Sequence, residues 1–295
     1  MKNNRKHYSL IISILIIFST FFGSSYKIDA RTTNYGYITH PLLIHFFDVG
    51  QGDSMVMILP NGKTILIDGG DVEHGNVVIK KLKRLNINKI DLLVSTHPDI
   101  DHIGGLLKVM NRVKVSSILD SGKKYNSHSY YLYKKEAYQK NIPIQMAKLD
   151  DKIRLDPNVE ITVLNSGKKS YSNNNSSIVL KVTYEEISIL LTGDIERNAE
   201  KRLIKTDKID AQVLKIPHHG SATSTSESFL FAVNPTVAIL SYDKFNLFGH
   251  PHRSVMKRLN HLGIKHYSTS DQGDIELSTN GHKLYIEKEE VLVSP

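Results

Sequence analysis

The segment Ser95-Thr-His-Pro-Asp-Ile-Asp-His102, continued by Ile103-Gly104-Gly105, sets His97, Asp99, Asp101 and His102 within six residues. Each of these side chains costs free energy if buried without a partner, so four together call for a common one. The apolar run Ile90-Asp-Leu-Leu-Val-Ser95 before them reads as a short buried strand. The apolar-periodic stretch from His102 to Met110 reads as a helix. The four residues therefore sit where a strand ends and a helix begins, and side chains there can converge. His97 and Asp99 project to one side of an extended turn, while Asp101 and His102 at the helix start reach a second point nearby. This is the pattern of a two-metal site, in which two cations share a bridging oxygen. A single Asp ahead of a helix is ordinarily an N-cap, and Asp101 alone would be no more than that. The density of the four exceeds what capping requires.

Working outward, ligand-type residues recur at strand ends. Leu42 to Phe47 is strand-like and enters Asp48-Val-Gly-Gln-Gly-Asp-Ser54, where two glycines permit a tight turn. Lys63 to Ile67 is a strand that ends in Asp68-Gly69-Gly70. Asp68 is placed either to hydrogen-bond a ligating residue or to hold its own turn. Val77 to Leu85 reads as an amphipathic helix and Val115 to Leu119 as a strand. A hairpin over 178–191 leads to Leu190-Leu-Thr-Gly-Asp194, whose carboxylate is suited to bridge two cations; its weight comes from the company it keeps. Ala211 to Ile216 is a strand ending in Pro217-His-His-Gly-Ser221. One of the adjacent His218 and His219 can ligate a metal while the other protonates a leaving group or binds an oxyanion. His250 in Gly249-His-Pro-His252 follows a strand in the same way, whereas His252 fits a plain helix start. Asn280-Gly281 between two short strands is a type I′ hairpin signal. Strand–turn–strand units alternating with helices, without repeats or a low-complexity linker, predict one α+β domain over 42–287: two sheets face to face with helices outside.

Composition narrows the chemistry. The 295 residues contain no cysteine, so disulfides, thiolate metal ligands and a lipidated N-terminal cysteine are excluded, and a metal must use His, Asp or Glu. The formal net charge of +8 favours anionic partners. Part of it belongs to the N-terminus, where Lys2, Arg5 and Lys6 precede the apolar run Leu10 to Phe22. That run is short for a membrane span and right for a signal-peptide core. Residues 1–30 are thus expected to be a signal peptide cleaved after Ala30, or an uncleaved anchor. Residues 31–295, the folded domain, would then lie outside the cytoplasmic membrane. In the Lys- and Tyr-rich stretch 123–140 the tyrosines are expected to pack on the core and the lysines to be solvated, although the composition also suits base stacking and phosphate neutralisation.

Together these motifs resemble the metallo-β-lactamase fold, an αββα sandwich, and are most similar to the extracytoplasmic hydrolase domain of the ComEC family of DNA-uptake proteins. The matching segments are Asp48–Asp53, Ile67–Gly70, Ser95–Gly105, Leu191–Asp194, Pro217–Ser221 and Gly249–His252, in the expected order. The resemblance implies that His97 and Asp99 bind one metal, Asp101 and His102 a second, and Asp194 both. One of His218 and His219 would complete the second site, and His250 would act as a last ligand or as a phosphate-binding and leaving-group residue. Asp101, His218, His219 and His250 are the candidate catalytic residues. The wider family has His where Asp99 stands and a further His before Asp194. Here no histidine lies between His128 and His218, and the loop offers Asn173 to Asn175. One site is therefore richer in oxygen, which favours manganese or another hard cation over zinc. ComEC proteins also carry a multi-span channel for which this chain has no room, so the resemblance implies the hydrolase part alone.

The expected function is that of a secreted or membrane-tethered phosphodiesterase using two divalent ions (Mn or Zn), with DNA as substrate. No obligate protein partner is evident. Hydrolysis of another ester (a phosphocholine, a cell-wall phosphodiester or a lactone) is the alternative, since the fold hosts many chemistries. A non-catalytic surface protein binding DNA or an anionic polymer is a third reading.

Overall fold

Along Thr64–Ile67 successive side chains enter two apolar layers: Ile65 and Ile67 face one, Leu66 the other. The same alternation holds in Ile187–Leu191, where Ile189 and Leu191 face the first layer and Leu190 a third. Strands apolar on both faces must be covered on both, and this dictates four layers. A computed structural model describes residues 40–167, 172–287 and 289–292. The expected export segment and its Ala30 cleavage point lie outside these residues.

The first half runs β1 (Leu42–Phe46), β2 (Met55–Ile58), β3 (Thr64–Ile67), α1 (Gly75–Arg84), β4 (Lys89–Ile90) and β5 (Leu92–Ser95). It continues through α2 (Ile100–Ile103), α3 (Leu106–Arg112), β6 (Lys114–Val115), β7 (Ile118–Asp120), α4 (His128–Gln139) and β8 (Ile144–Met146). The second half begins β9 (Lys152–Ile153), β10 (Val159–Asn165), β11 (Val179–Tyr184), β12 (Ile187–Leu191), α5 (Arg197–Ile204) and β13 (Val213–Lys215). Next come α6 (Glu227–Val233), β14 (Val237–Leu240), α7 (Arg253–His261), β15 (Lys265–Ser268) and α8 (Thr269–Gln272). It closes with β16 (Ile275–Thr279), β17 (Leu284–Ile286) and β18 (Glu289–Val291).

One sheet has the order β18-β17-β16-β1-β2-β3-β5-β7-β8 and the other β15-β14-β13-β12-β11-β10-β9. β3, β5, β7 and β8 run parallel, as do β12 to β15. The inter-sheet core includes Ile44, Phe46, Met57, Ile161, Val182 and Ile189. Behind the first sheet, Val78 and Leu82 of α1, Leu106 and Val109 of α3 and Ala137 of α4 pack on Val56, Leu66 and Leu93. Behind the second, Ala199 and Leu203 of α5, Phe229 of α6 and Val255 and Leu259 of α7 pack on Leu190, Leu214 and Ala238. The αββα sandwich read from the sequence is the observed architecture. Among the described residues no helix is long and apolar enough to cross a membrane.

Three local expectations change. The helix expected over 102–110 is two short helices broken at Gly104–Gly105, where other backbone comes too close for a side chain. The strand expected over 115–119 splits at Ser116–Ser117; Val115 pairs with Ile90 of β4, and Ile118–Asp120 joins the large sheet. Asn280-Gly281 does not form a two-residue type I′ turn: β16 and β17 are joined by four residues, and Asn280 Oδ1 accepts from the amides of His282 (3.1 Å) and Lys283 (2.9 Å). In α4, Tyr133 is fully buried and donates to Asp120 (3.0 Å), but Tyr131 and Tyr138 are exposed. Core packing thus accounts for only part of that aromatic run.

Candidate metal centre

Five parallel strands deliver polar residues from their C-terminal ends: Asp68 after β3, His97 after β5, Asp194 after β12, His219 after β13 and Ser241 after β14. Three glycine-rich turns are laced together beneath them. Asp53 N donates to Asp101 O (3.2 Å), Gly70 N to Asp53 O (2.9 Å), Gly69 N to His102 O (2.8 Å) and Gly105 N to Gly70 O (3.0 Å). This lacing leaves no space for Cβ atoms: one on Gly105 would lie 2.1 Å from Gly69 O, and one on Gly52 2.3 Å from Asp101 O.

Donor atoms of Asp101, His102, Asp194 and His219 all lie within 4.8 Å of one another. Asp194 Oδ2 is 3.2 Å from His102 Nε2, 3.3 Å from His219 Nε2 and 4.0 Å from His97 Nε2. Asp101 Oδ2 is 3.3 Å from His219 Nε2, and Asp99 Oδ2 is 3.5 Å from His97 Nε2. Asp194 therefore stands between a His97/Asp99 pair and an Asp101/His102/His219 group. The Nε2 atoms of all three histidines and Asp194 Oδ1 are buried without a hydrogen-bond partner. Buried polar atoms left unsatisfied are costly. Three orphaned ring nitrogens grouped around one carboxylate fit a divalent cation.

The remaining ring nitrogens explain that aim. His102 Nδ1 donates to Asp68 Oδ2 (2.8 Å), and His219 Nδ1 donates to Ser241 O (2.8 Å). Thr96 Oγ1 donates to Asp68 Oδ2 (2.6 Å) and lies 3.1 Å from His97 Nδ1, whose proton it can accept. Each histidine is thus held by Nδ1 with its Nε2 facing inward, the ring orientation a metal ligand needs. Asp68 is the orienting residue here, not merely a turn holder.

Below His219 lies a buried ion pair. Lys215 Nζ is 2.9 Å from Asp53 Oδ2, and Asp53 Oδ1 is 3.6 Å from His219 Nδ1. Neither is a predicted site residue, and the lysine amid the apolar Val213-Leu-Lys-Ile216 is the sequence signal that points to the pair. Thr96, Ser177 and Ser241 carry no such signal, because their bonds are local details of backbone course. Ser177 Oγ accepts from Asp194 N (3.0 Å). The three asparagines divide their work: Asn173 Nδ2 donates to Asp99 Oδ1 (2.6 Å), Asn174 reaches His218, and Asn175 Oδ1 accepts from the amides of Glu196 and Ala199 at the start of α5.

His218 and His219 both have left-handed backbone conformations, φ 51° and 53°, so their side chains diverge. The structure brings His219 into the cluster and turns His218 toward Glu196 (3.8 Å) and Thr223 (3.2 Å). The His250 ring is 5.5 Å from that of His218 and 6.0 Å from that of His219, at the rim. His252 is exposed beside the start of α7, without a side-chain capping bond.

Charge is strongly coupled in the centre. Burial favours neutral Asp101 and Asp194 carboxyls, but the charges of His102 and His219 outweigh it and hold both far below the usual carboxylate range. Burial likewise opposes protonation of His102 and His219, and Asp194 overrides it, raising His219 to about 10. Burial raises and His97 and Asn173 lower the Asp99 carboxyl, with a net depression. His218 is depressed chiefly by burial. His250 is pushed down to about 4 by burial, then by the charges of His219 and His218.

Residues 47–243 match the family described as the Metallo-beta-lactamase superfamily. The chain is similar to ComE operon protein 3 of Bacillus subtilis, 29% identical over 252 residues that cover 79% of this chain and 32% of that protein. It is also similar to Recombination protein 2 of Haemophilus influenzae, 32% identical over 257 residues covering 84% of this chain and 30% of that protein. The chain thus spans about a third of the length of these curated relatives. Among solved structures, the metallo-beta-lactamase fold protein YhfI of Bacillus subtilis matches with a TM-score of 0.54 at 12% identity. That match covers 81% of this chain and 100% of YhfI, and it supports the fold alone.

Proposed function

The chain belongs to the metallo-beta-lactamase superfamily, and from that membership we propose that it is a metal-dependent phosphodiesterase acting on DNA. The observation that carries the reading is the convergence of orphaned His97, His102 and His219 nitrogens on the Asp194 carboxylate. His97, Asp99 and Asp194 would hold one divalent cation, and Asp101, His102, His219 and Asp194 the other. When bound, such ions supply Lewis acidity and activate water at neutral pH.

The residues themselves do the positioning. Asp68, Thr96 and Ser241 fix the ring tautomers, and Asp194 faces both halves of the site. His218 and His250, both depressed, meet a substrate as neutral imidazoles, each able to donate one N–H bond to a phosphoryl or leaving oxygen. Asp99, held by Asn173, makes its half richer in oxygen and favours a hard cation such as manganese. A phosphodiester substrate suits the net charge of +8, and DNA suits the recombination name of one relative. Residues 1–30 would place the domain outside the cytoplasmic membrane, secreted or tethered.

The test is metal-stripped protein from Arg31 onward, reloaded with manganese or zinc and assayed on single-stranded DNA and a small chromogenic phosphodiester. Metal-dependent DNA cleavage is expected. In Asp194→Asn it should fall by more than the ~100-fold that loss of an outer-shell partner costs. Retained turnover in that variant would remove the mechanism. Cleavage of the small diester alone would replace DNA by another ester.

A further inference from the structure

The loop after β14, Asp243-Lys-Phe-Asn-Leu-Phe-Gly249, exposes three large apolar side chains: Phe245 is 85% exposed, Leu247 99% and Phe248 69%. Three such side chains within four residues mark a contact site. It is held in a set shape. Asn246 Oδ1 accepts from the amides of Phe248 (3.1 Å) and His250 (2.9 Å), and Asp243 Oδ1 accepts from Phe245 N (2.8 Å). The loop is also tied to the centre. The Phe248 ring stacks on His250 at 5.7 Å and 20°, and His250 stacks on His219 at 6.0 Å and 28°. His219 Nε2 is in turn 3.3 Å from Asp194. A ladder of three rings therefore leads from the metal centre to an open aromatic face.

Charge indicates what that face meets. From Lys244 to Ser270 the chain has no acidic residue, while it carries Lys244, Arg253, Lys257, Arg258 and Lys265. Exposed aromatics in a chain segment whose one carboxylate, Asp243, is engaged by Phe245 N and whose other charges are basic match a polymer with planar apolar groups on an anionic backbone. Rings stack with bases regardless of sequence, and cations neutralise phosphates.

We propose that Phe248, with Phe245 in the same loop, forms a stacking platform for bases of a single-stranded nucleic acid whose neighbouring phosphate lies at the Asp194 centre. This rests on the phosphodiesterase reading and names the substrate form. The platform explains why Phe248 rides on His250 rather than burying itself: the ring extends the wall of the site. A lipid surface that took up Phe245, Leu247 and Phe248 would instead cover the approach to His250.

The test measures binding in chelator, so that turnover does not intrude. Fluorescence anisotropy compares a labelled oligothymidylate with an abasic oligomer of equal length, on the full chain and its variants. The wild type should favour the base-bearing oligomer. Phe248→Ala should weaken that oligomer selectively, by roughly 5- to 100-fold for one lost stack, while Phe248→Trp should preserve the preference. An unchanged ratio in Phe248→Ala, equal losses on both oligomers, or no preference in the wild type would each overturn the platform. Co-sedimentation with phosphatidylglycerol vesicles that is lost in Phe248→Ala, with the oligomer ratio intact, would reassign the loop to a bilayer. The nuclease reading fails separately: a base preference that depends on Phe248 without metal-dependent DNA cleavage would remove hydrolysis and leave the platform.

Discussion

Asp68 has a left-handed backbone, φ 56°, where glycine is usual, yet it carries the carboxylate that orients His102. Asp68→Asn keeps the shape but can present an amide N–H where an acceptor is needed, so it forces His102 toward the wrong tautomer. We expect a ~10- to 100-fold loss of metal affinity, read by calorimetric titration with manganese. His45 on β1 tests a different balance. Burial pushes its imidazole below 6.5 against the opposing pull of Glu276. The unfolded chain binds that proton more tightly, so the stability from neutral His45 is present above pH 6.5 and is lost as pH falls toward the folded value. Denaturant titrations should show wild type losing more stability than His45→Gln between about pH 8 and pH 5. At this scale the ligand types of the site were legible, because His and Asp at strand ends have few structural uses. The choice of His219 over His218 was not, because it depends on two consecutive left-handed residues that make adjacent rings diverge.

Lys215 belongs to β13 and Asp53 to the turn after β1, and their buried pair joins the two sheets below His219. Removing one partner of such a pair leaves the other charge stranded. Lys215→Met should cost about 3–5 kcal/mol in chemical denaturation, and Lys215→Met with Asp53→Leu should recover much of it. The break between α2 and α3 has a similar logic. Gly105→Ala drives a methyl into Gly69 O and should destabilise the fold by about 1–3 kcal/mol, visible as a lower Tm. Hydrophobic period located most strands and the α1 helix, since Val78 and Leu82 repeat on one face. It did not reveal the α2–α3 break, which is imposed from outside by the backbone of the Asp68–Gly70 turn.

For the whole molecule, the four layers were legible because strand–turn–strand units alternate with helices in each half, and the burial of β3 and β12 on both faces shows why two covers are needed. Strand order within a sheet is another matter: nothing in Leu42–Phe46 announces that it is a central strand. If the centre holds cations, Tm should rise with manganese concentration by mass action, and Asp194→Asn should flatten that rise. The position of β1 also governs the order of events during synthesis. Leu42 pairs with Thr279 and Phe46 with Ile275, so one flank of β1 stays open until β16 has been made and released from the ribosome. Pairing across such a separation is slow, and an open strand edge is a template for aggregation. A chain released early, after Gln272, should therefore fail to unfold cooperatively and should accumulate as aggregate.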